Sequence, residues 1–256
     1  MRVVLRRLIL RRLIMAAVLL GWGQIASAQT ADDVIEKYLT AIGGREALGK
    51  LTSRSAVGTI TLTTPAGNIS GPIEILNQRP NKSRTLINVD LTALGAGPMT
   101  LDQRFDGTSA YALDTLQGNR DITGNQLENM KNGMFPTPFL NYKDQGATVE
   151  LGGKEKVGER DAYVLIFKPK SGSIARQYID AESYLPVKLV VKVDVPQIGE
   201  LEQVTELSDF RAVDGVKLPF SVKATSAVQS FTIALTKVEH NTKLDETLFS
   251  KPAPGK

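Results

Sequence analysis

This sequence predicts a mainly β fold: one strongly curved antiparallel sheet, or incomplete β-barrel, with helices over its open side. Three observations carry that expectation. From Ser55 onward apolar residues recur with period two, and after residue 147 the same period returns. Turn residues rich in Gly, Asp, Asn and Pro punctuate these runs at fairly even spacing. Helical periodicity is confined to the start, residues 31–50, and to a short stretch at mid-chain.

In the opening stretch, Val34, Ile35, Tyr38, Leu39 and Ile42 recur at three- and four-residue spacing and so share one helix face. Asp32 and Asp33 suit its positive end. Gly43-Gly44 stop it, and a second short turn is expected over Glu46–Lys50.

Val57, Thr59, Thr61 and Thr63 then alternate with Ala56, Gly58, Ile60 and Leu62. Pro65, Gly67 and Asn68 supply a turn, and Ile69, Ile73 and Ile75 continue in a second strand. A third strand carries Thr85, Ile87, Val89 and Leu91. Asp106-Gly107 marks a tight hairpin between residues 100–105 and 109–114. Residues 122–134 fit a short helix carrying Leu127 and Met130, ended by Gly133. The stretch FPTPFLNY, 135–142, cannot be a central strand, because each Pro lacks the amide a ladder needs.

In the second half, runs at 148–151, 163–168, 174–180, 186–195, 201–210, 216–225 and 231–240 read as strands. Gly152-Gly153, Gly158, Ser171-Gly172, residues 196–199 and Asp214-Gly215 mark the turns. Leu185, Val187, Leu189, Val191 and Val193 fall on one side of their strand, with Lys188, Val190, Lys192 and Asp194 on the other. One apolar and one wet face is the mark of an antiparallel sheet. About ten or eleven strands in one meander are expected, in a single domain over 29–256.

Charge points first toward an anionic partner, with a formal net charge of +4 and a pI of about 9.2. Five of the basic residues, however, are Arg2, Arg6, Arg7, Arg11 and Arg12, ahead of the apolar run LIMAAVLLGWGQIASA. A basic start, a short apolar core and Ala26-Ser27-Ala28 make a secretory signal peptide, 1–28, cleaved after Ala28. The core is too short for a membrane span, which needs roughly 20 apolar residues. Losing those five arginines turns +4 into −1 for the remaining chain. Nucleic acid then loses its main argument. The expected location is the periplasm, with no integral membrane segment after cleavage. With no Cys, disulfides, thiolate catalysis and a lipoprotein anchor at the cleavage site are excluded.

The stretches RQYIDAESYLPVKL (176–189), SDFRAVDGVKLPFSV (208–222), HNTKLDETLFSKPA (240–253) and VIEKYLTAIGGREALGKL (34–51) together resemble the LolA/LolB-like superfamily of bacterial envelope proteins. The likeness is to its outer-membrane lipoprotein-sorting-like branch, and it covers nearly the whole chain after the leader. It implies a half-open barrel around an apolar cavity with helices as a lid. It further implies a carrier or binding role in lipoprotein transport and outer-membrane biogenesis, the ligand being a lipid or the acyl chain of a lipoprotein. A sensor or protein-binding module with an envelope protein partner is the alternative within the same fold. Phe249 would plug the barrel end.

Chemistry offers little competition. No nucleophile-elbow, phosphate-cradling or calcium-loop motif is present, and no cofactor is expected. The one histidine, His240, reads as an ordinary strand-end residue beside Glu239 and Asn241, not as a catalytic base. One His and no Cys argue against a transition-metal site. A non-enzymatic binder is therefore the reading. The expected cavity lining is Ile60, Leu62, Ile73, Ile75, Ile87, Val89, Phe105, Leu189 and Phe220, with Phe135 and Phe139 at the entrance or closing the core. LTALGAGPM, 91–99, reads as a long hairpin tip, with a mobile flap at the cavity mouth as the other possibility.

Overall fold

The computed structural model describes residues 29–195 and 198–252. The expected leader, 1–28, lies outside the described residues. Helix α1 runs Ala31–Ala41 and buries Val34, Ile35, Tyr38 and Leu39 along the face its periodicity marked. Its chain turns at Gly43, whose φ of 133° is open to glycine. A Cβ there would lie 2.6 Å from the carbonyl oxygen of Gly215. Helix α2, Gly44–Lys50, follows. Helix α3 is Gly124–Asn132.

Among the described residues thirteen strands form one antiparallel sheet. In chain order they are β1 Ser53–Thr64, β2 Gly67–Gln78, β3 Lys82–Asp90, β4 Pro98–Phe105, β5 Ala110–Asp114, β6 Arg120–Ile122, β7 Thr148–Val157, β8 Arg160–Lys168, β9 Ala175–Asp180, β10 Pro186–Val195, β11 Gly199–Val213, β12 Val216–Thr225 and β13 Ser230–His240. The spatial order is β6-β5-β4-β3-β2-β1-β13-β12-β11-β10-β9-β8-β7, so β1 and β13 join two meanders and the sheet is not closed. This is the open curved sheet the sequence predicts.

Three details differ from the expectation. The strand count exceeds ten or eleven, and β6, only three residues long, is too short to show a period. Gly152-Gly153 is not a turn: it lies inside β7, where the register with β8 shifts between Leu151 and Lys154. The outer face of β8–β10 is not uniformly wet either. Ala162, Val164, Tyr178 and Val190 are buried there. Long charged side chains cover them: the Lys188 ammonium sits 4.4 Å from the Tyr178 ring centre, and the Tyr178 hydroxyl donates to Glu155 Oε2 at 3.1 Å.

On the inner face, α1 and α2 pack with residues 135–147 against Tyr163, Leu165, Phe167 and Ile179. Phe139 is central here, edge-on to both Tyr38 and Phe167. Residues 135–142 are irregular, with a 3₁₀ turn at Pro138–Leu140, as their two prolines require. Helix α3 bridges the two arms of the sheet. Leu127 and Met130 pack on Phe105, Ala110 and Ala112, while Asn129 accepts from the Ser173 amide and Asn132 donates to the Ser171 carbonyl. Phe249 is fully buried on the last segment, which Glu246 ties to Gln78 and Lys82, the end of β2 and the start of β3. Among the described residues no helix is long and apolar enough to cross a membrane.

Candidate functional site

Strand pairing fixes which side chains look inward. Ile73 pairs with Gly58 and Ile87, and Ile87 pairs with Leu101, so these share the face that α3 covers further along. Ile60, Ile73, Ile87, Val89 and Leu91 form one apolar cluster on that face. Leu62, Ile69, Ile75, Met99, Leu101, Phe231 and Ile233 pack around it and stay partly exposed. Every member comes from β1–β4, β13 or the residue after β3, and none from a helix. Gly71 allows this packing, because a Cβ there would lie 1.9 Å from the Asn88 carbonyl oxygen.

Of the eleven residues expected to line a cavity, six lie in this cluster: Ile60, Leu62, Ile73, Ile75, Ile87 and Val89. The other five lie elsewhere. Phe105 packs beneath α3. Phe135 and Phe139 belong to the helix-covered core. Phe220 packs with Ala56, Leu218 and Val238. Leu189 pairs with Thr205 and Gln177 on the inner face, partly exposed and outside these clusters.

The same inner row of β1 ends in a charge. Arg54 pairs with Asn77 on β2 and with His240 on β13. Its Nη2 and Nε donate to Asn77 Oδ1 at 2.7 and 3.3 Å, and its guanidinium lies 5.5 Å from the Phe135 ring centre. No carboxylate of the described residues forms an ion pair with it. Burial pushes its pKa down to about 10. His240 has its side chain 2% exposed. Asp214 Oδ2 approaches Nδ1 at 3.3 Å, without the alignment of a hydrogen bond. Burial, then the Arg54 charge, lowers the imidazole pKa against the pull of Asp214. Both side chains line a cavity of about 100 Å³ whose other walls include Tyr38, Leu51, Phe135 and Leu218. A second cavity, about 220 Å³, opens between Arg79, Met134, Thr137 and Gln145.

Sequence reasoning passed over Arg54. Extending the period-two row of β1 backward from Ala56 would have shown a cation on the apolar face. It also missed Met99, Phe231 and Ile233, whose place in the cluster follows from strand order. No group of three or more acidic or histidine side chains among the described residues is placed to hold a metal.

No protein-family model and no curated protein sequence matches the chain. Solved structures do. A LolA superfamily protein from Nitrosomonas europaea superposes with a TM-score of 0.55 at 15% identity, over 88% of this chain and 99% of that one. A DUF1329 family protein from Desulfovibrio piger gives 0.56 at 12%, over 86% and 97%. A domain from Vibrio parahaemolyticus, named for outer membrane lipoprotein sorting, gives 0.54 at 12%, also over 86% and 97%. The likeness is one of fold, and it agrees with the resemblance read from the turn motifs.

Proposed function

We propose that this chain is an exported envelope binding protein, not an enzyme, that holds a lipid or a lipoprotein acyl chain against the inner face of its open half-barrel. In this reading residues 1–28 are removed on export to the periplasm, and 29–256 work as one domain. One observation supports it most: the apolar cluster of β1–β4 and β13 takes no member from a helix and is rimmed by seven partly exposed apolar side chains. An acyl chain laid there gains roughly 0.8 kcal/mol per buried methylene. The likeness to a domain named for lipoprotein sorting favours the same ligand class.

The test is uptake of a fluorescent fatty acid by the wild-type chain and by Met99→Asp and Phe231→Asp. Both positions are partly exposed, so the fold tolerates the change better than at Ile73. Uptake should fall at least tenfold in both, with Thr61→Asp on the outer face as an unaffected control. Equal uptake in all four chains contradicts the reading. A protein-binding role without lipid is the second reading. The tight burial of Ile60, Ile73 and Val89, each 3% exposed, favours it, as does the small size of the two cavities. It predicts no uptake by any of the chains.

A further inference from the structure

The cavity of about 100 Å³ bordered by α1, α2, β1, β12 and β13 is an apolar chamber with a cation in its wall. Tyr38, Leu48, Leu51, Phe135 and Leu218 are among its lining residues, and no acidic residue is. β1 contributes Arg54 and β13 contributes His240, cross-strand partners on the same face. Lys217 borders the chamber too, but it alternates with buried Val216 and Leu218, so its exposed side chain belongs to the other face of β12.

A guanidinium has five N–H groups. Asn77 Oδ1 takes two from Arg54, one on Nε and one on Nη2. The second N–H of Nη2 and both on Nη1 have no partner among the described residues. Those groups form the fork that grips a carboxylate or phosphate by parallel bonds. Beside them, His240 Nδ1 is buried and also lacks a hydrogen-bond partner. Asp214 Oδ2 lies 3.3 Å from that nitrogen, but the Asp214 side chain is 66% exposed and is not part of the cavity wall. A cation withdrawn into an apolar wall without a counter-charge loses hydration that nothing in the chain returns.

We infer that this chamber binds one oxyanion, a carboxylate or phosphate group, held by the free fork of Arg54 beside His240. Its volume suits a few waters or one such group, not a whole lipid, for which pockets run to roughly 300 Å³ or more. The oxyanion is either a free ion or the acidic head of a larger molecule that lies mostly outside the chamber. Arg54 shares the inner row of β1 with Ala56 and Ile60, so an acidic lipid on the inner face would put its head here. A free ion needs no lipid, and the site then stands apart from the proposed acyl ligand.

The chain has one His, so the imidazole resonances of His240 report the chamber directly. At pH 7.5 the wild-type chain is titrated with phosphate, acetate, dodecanoate and dodecanol, with sodium chloride at matched ionic strength as the blank. Phosphate or acetate should shift the resonances saturably, and Arg54→Leu should weaken that binding roughly tenfold or more. Arg54→Lys, which keeps the charge without the fork, should recover only part of it. If the oxyanion is a lipid head, dodecanoate shifts the resonances where dodecanol and the small anions do not, with the same dependence on Arg54. Phosphate binding by a chain that takes up no acyl compound supports the site and contradicts the acyl reading. Equal responses to dodecanoate and dodecanol, unchanged in Arg54→Leu, do the reverse. Wild-type resonances that no anion moves further than chloride does overturn the inference without recourse to any variant.

Discussion

Arg54 and His240 are partners across the β1–β13 ladder, and the cation lowers the pKa of the imidazole it faces. Burial acts in the same direction. The folded state therefore keeps His240 neutral where the unfolded chain, with a pKa of 6.5, would take a proton. The stability this contributes is present above pH 6.5 and is lost as the pH falls below it, because the unfolded state then binds more protons. Urea unfolding from pH 7.5 to 5.5 should show that loss, and His240→Gln should flatten the curve over the same range. In Arg54→Leu the imidazole pKa should rise, read directly by NMR because the chain has one His. An unchanged value contradicts the electrostatic link.

Arg79 fastens α2 to the sheet. Its Nη2 donates to the Leu48 carbonyl at 2.7 Å and its Nε to the Leu51 carbonyl. These acceptors lie at the end of α2, where the Leu48 carbonyl also takes the Leu51 amide at 3.3 Å, and just beyond it. Arg79→Ala should cost about 2 kcal/mol in urea unfolding. Arg79→Lys, with one ammonium in place of a fork, should recover only part of it.

Asp102 gathers two arginines on the outer face of β3–β4. Arg84 donates to it from Nε and Nη2, each at 2.8 Å, and Arg104 Nη2 donates at 2.7 Å. The carboxylate side chain is 6% exposed. Burial alone would raise its pKa, yet the two guanidinium groups hold it below 3.8. Asp102→Asn takes from two partly buried cations the carboxylate they share, leaving Arg84 only Glu74 at 3.9 Å, and should destabilise by about 3 kcal/mol. The carboxylate's contribution is present above pH 3.8 and falls away as the pH drops below it. In Asp102→Asn that part of the acid transition should vanish.

At Gly71 β2 lies close against the backbone of β3. A methyl group there would meet the Asn88 carbonyl oxygen at 1.9 Å, and backbone cannot move aside as a side chain can. Gly71→Ala should cost more than 2 kcal/mol in thermal or urea unfolding. Gly67→Ala, with open space around it but a φ of 118°, should cost less, through backbone strain alone.

The architecture was legible because its signals are local. Period-two rows name the strands. Asp106-Gly107 and Asp214-Gly215 name their turns, and both glycines adopt positive φ as such turns require. Gly152-Gly153 misled for the same reason: a glycine pair suits a bulge as well as a turn, and only pairing with β8 distinguishes them. The site was legible along single strands and not between them. Ile60, Ile73 and Ile87 sit in successive strands of a meander, so neighbours in sequence become neighbours in space. Phe105, Phe139 and Phe220 went to different clusters because helix docking, which no sequence period encodes, divides the inner face. Arg54 was hidden by its position at the first turn of its row, before the alternation begins.

The claim that the inner face carries an apolar chain is tested most directly by native mass spectrometry of the protein recovered from its own cell envelope, before and after lipid extraction. The account predicts a discrete added mass of lipid or acyl size that extraction removes, and that Met99→Asp and Phe231→Asp lack. A wild-type chain that arrives bare, and takes up no fluorescent fatty acid afterwards, contradicts it.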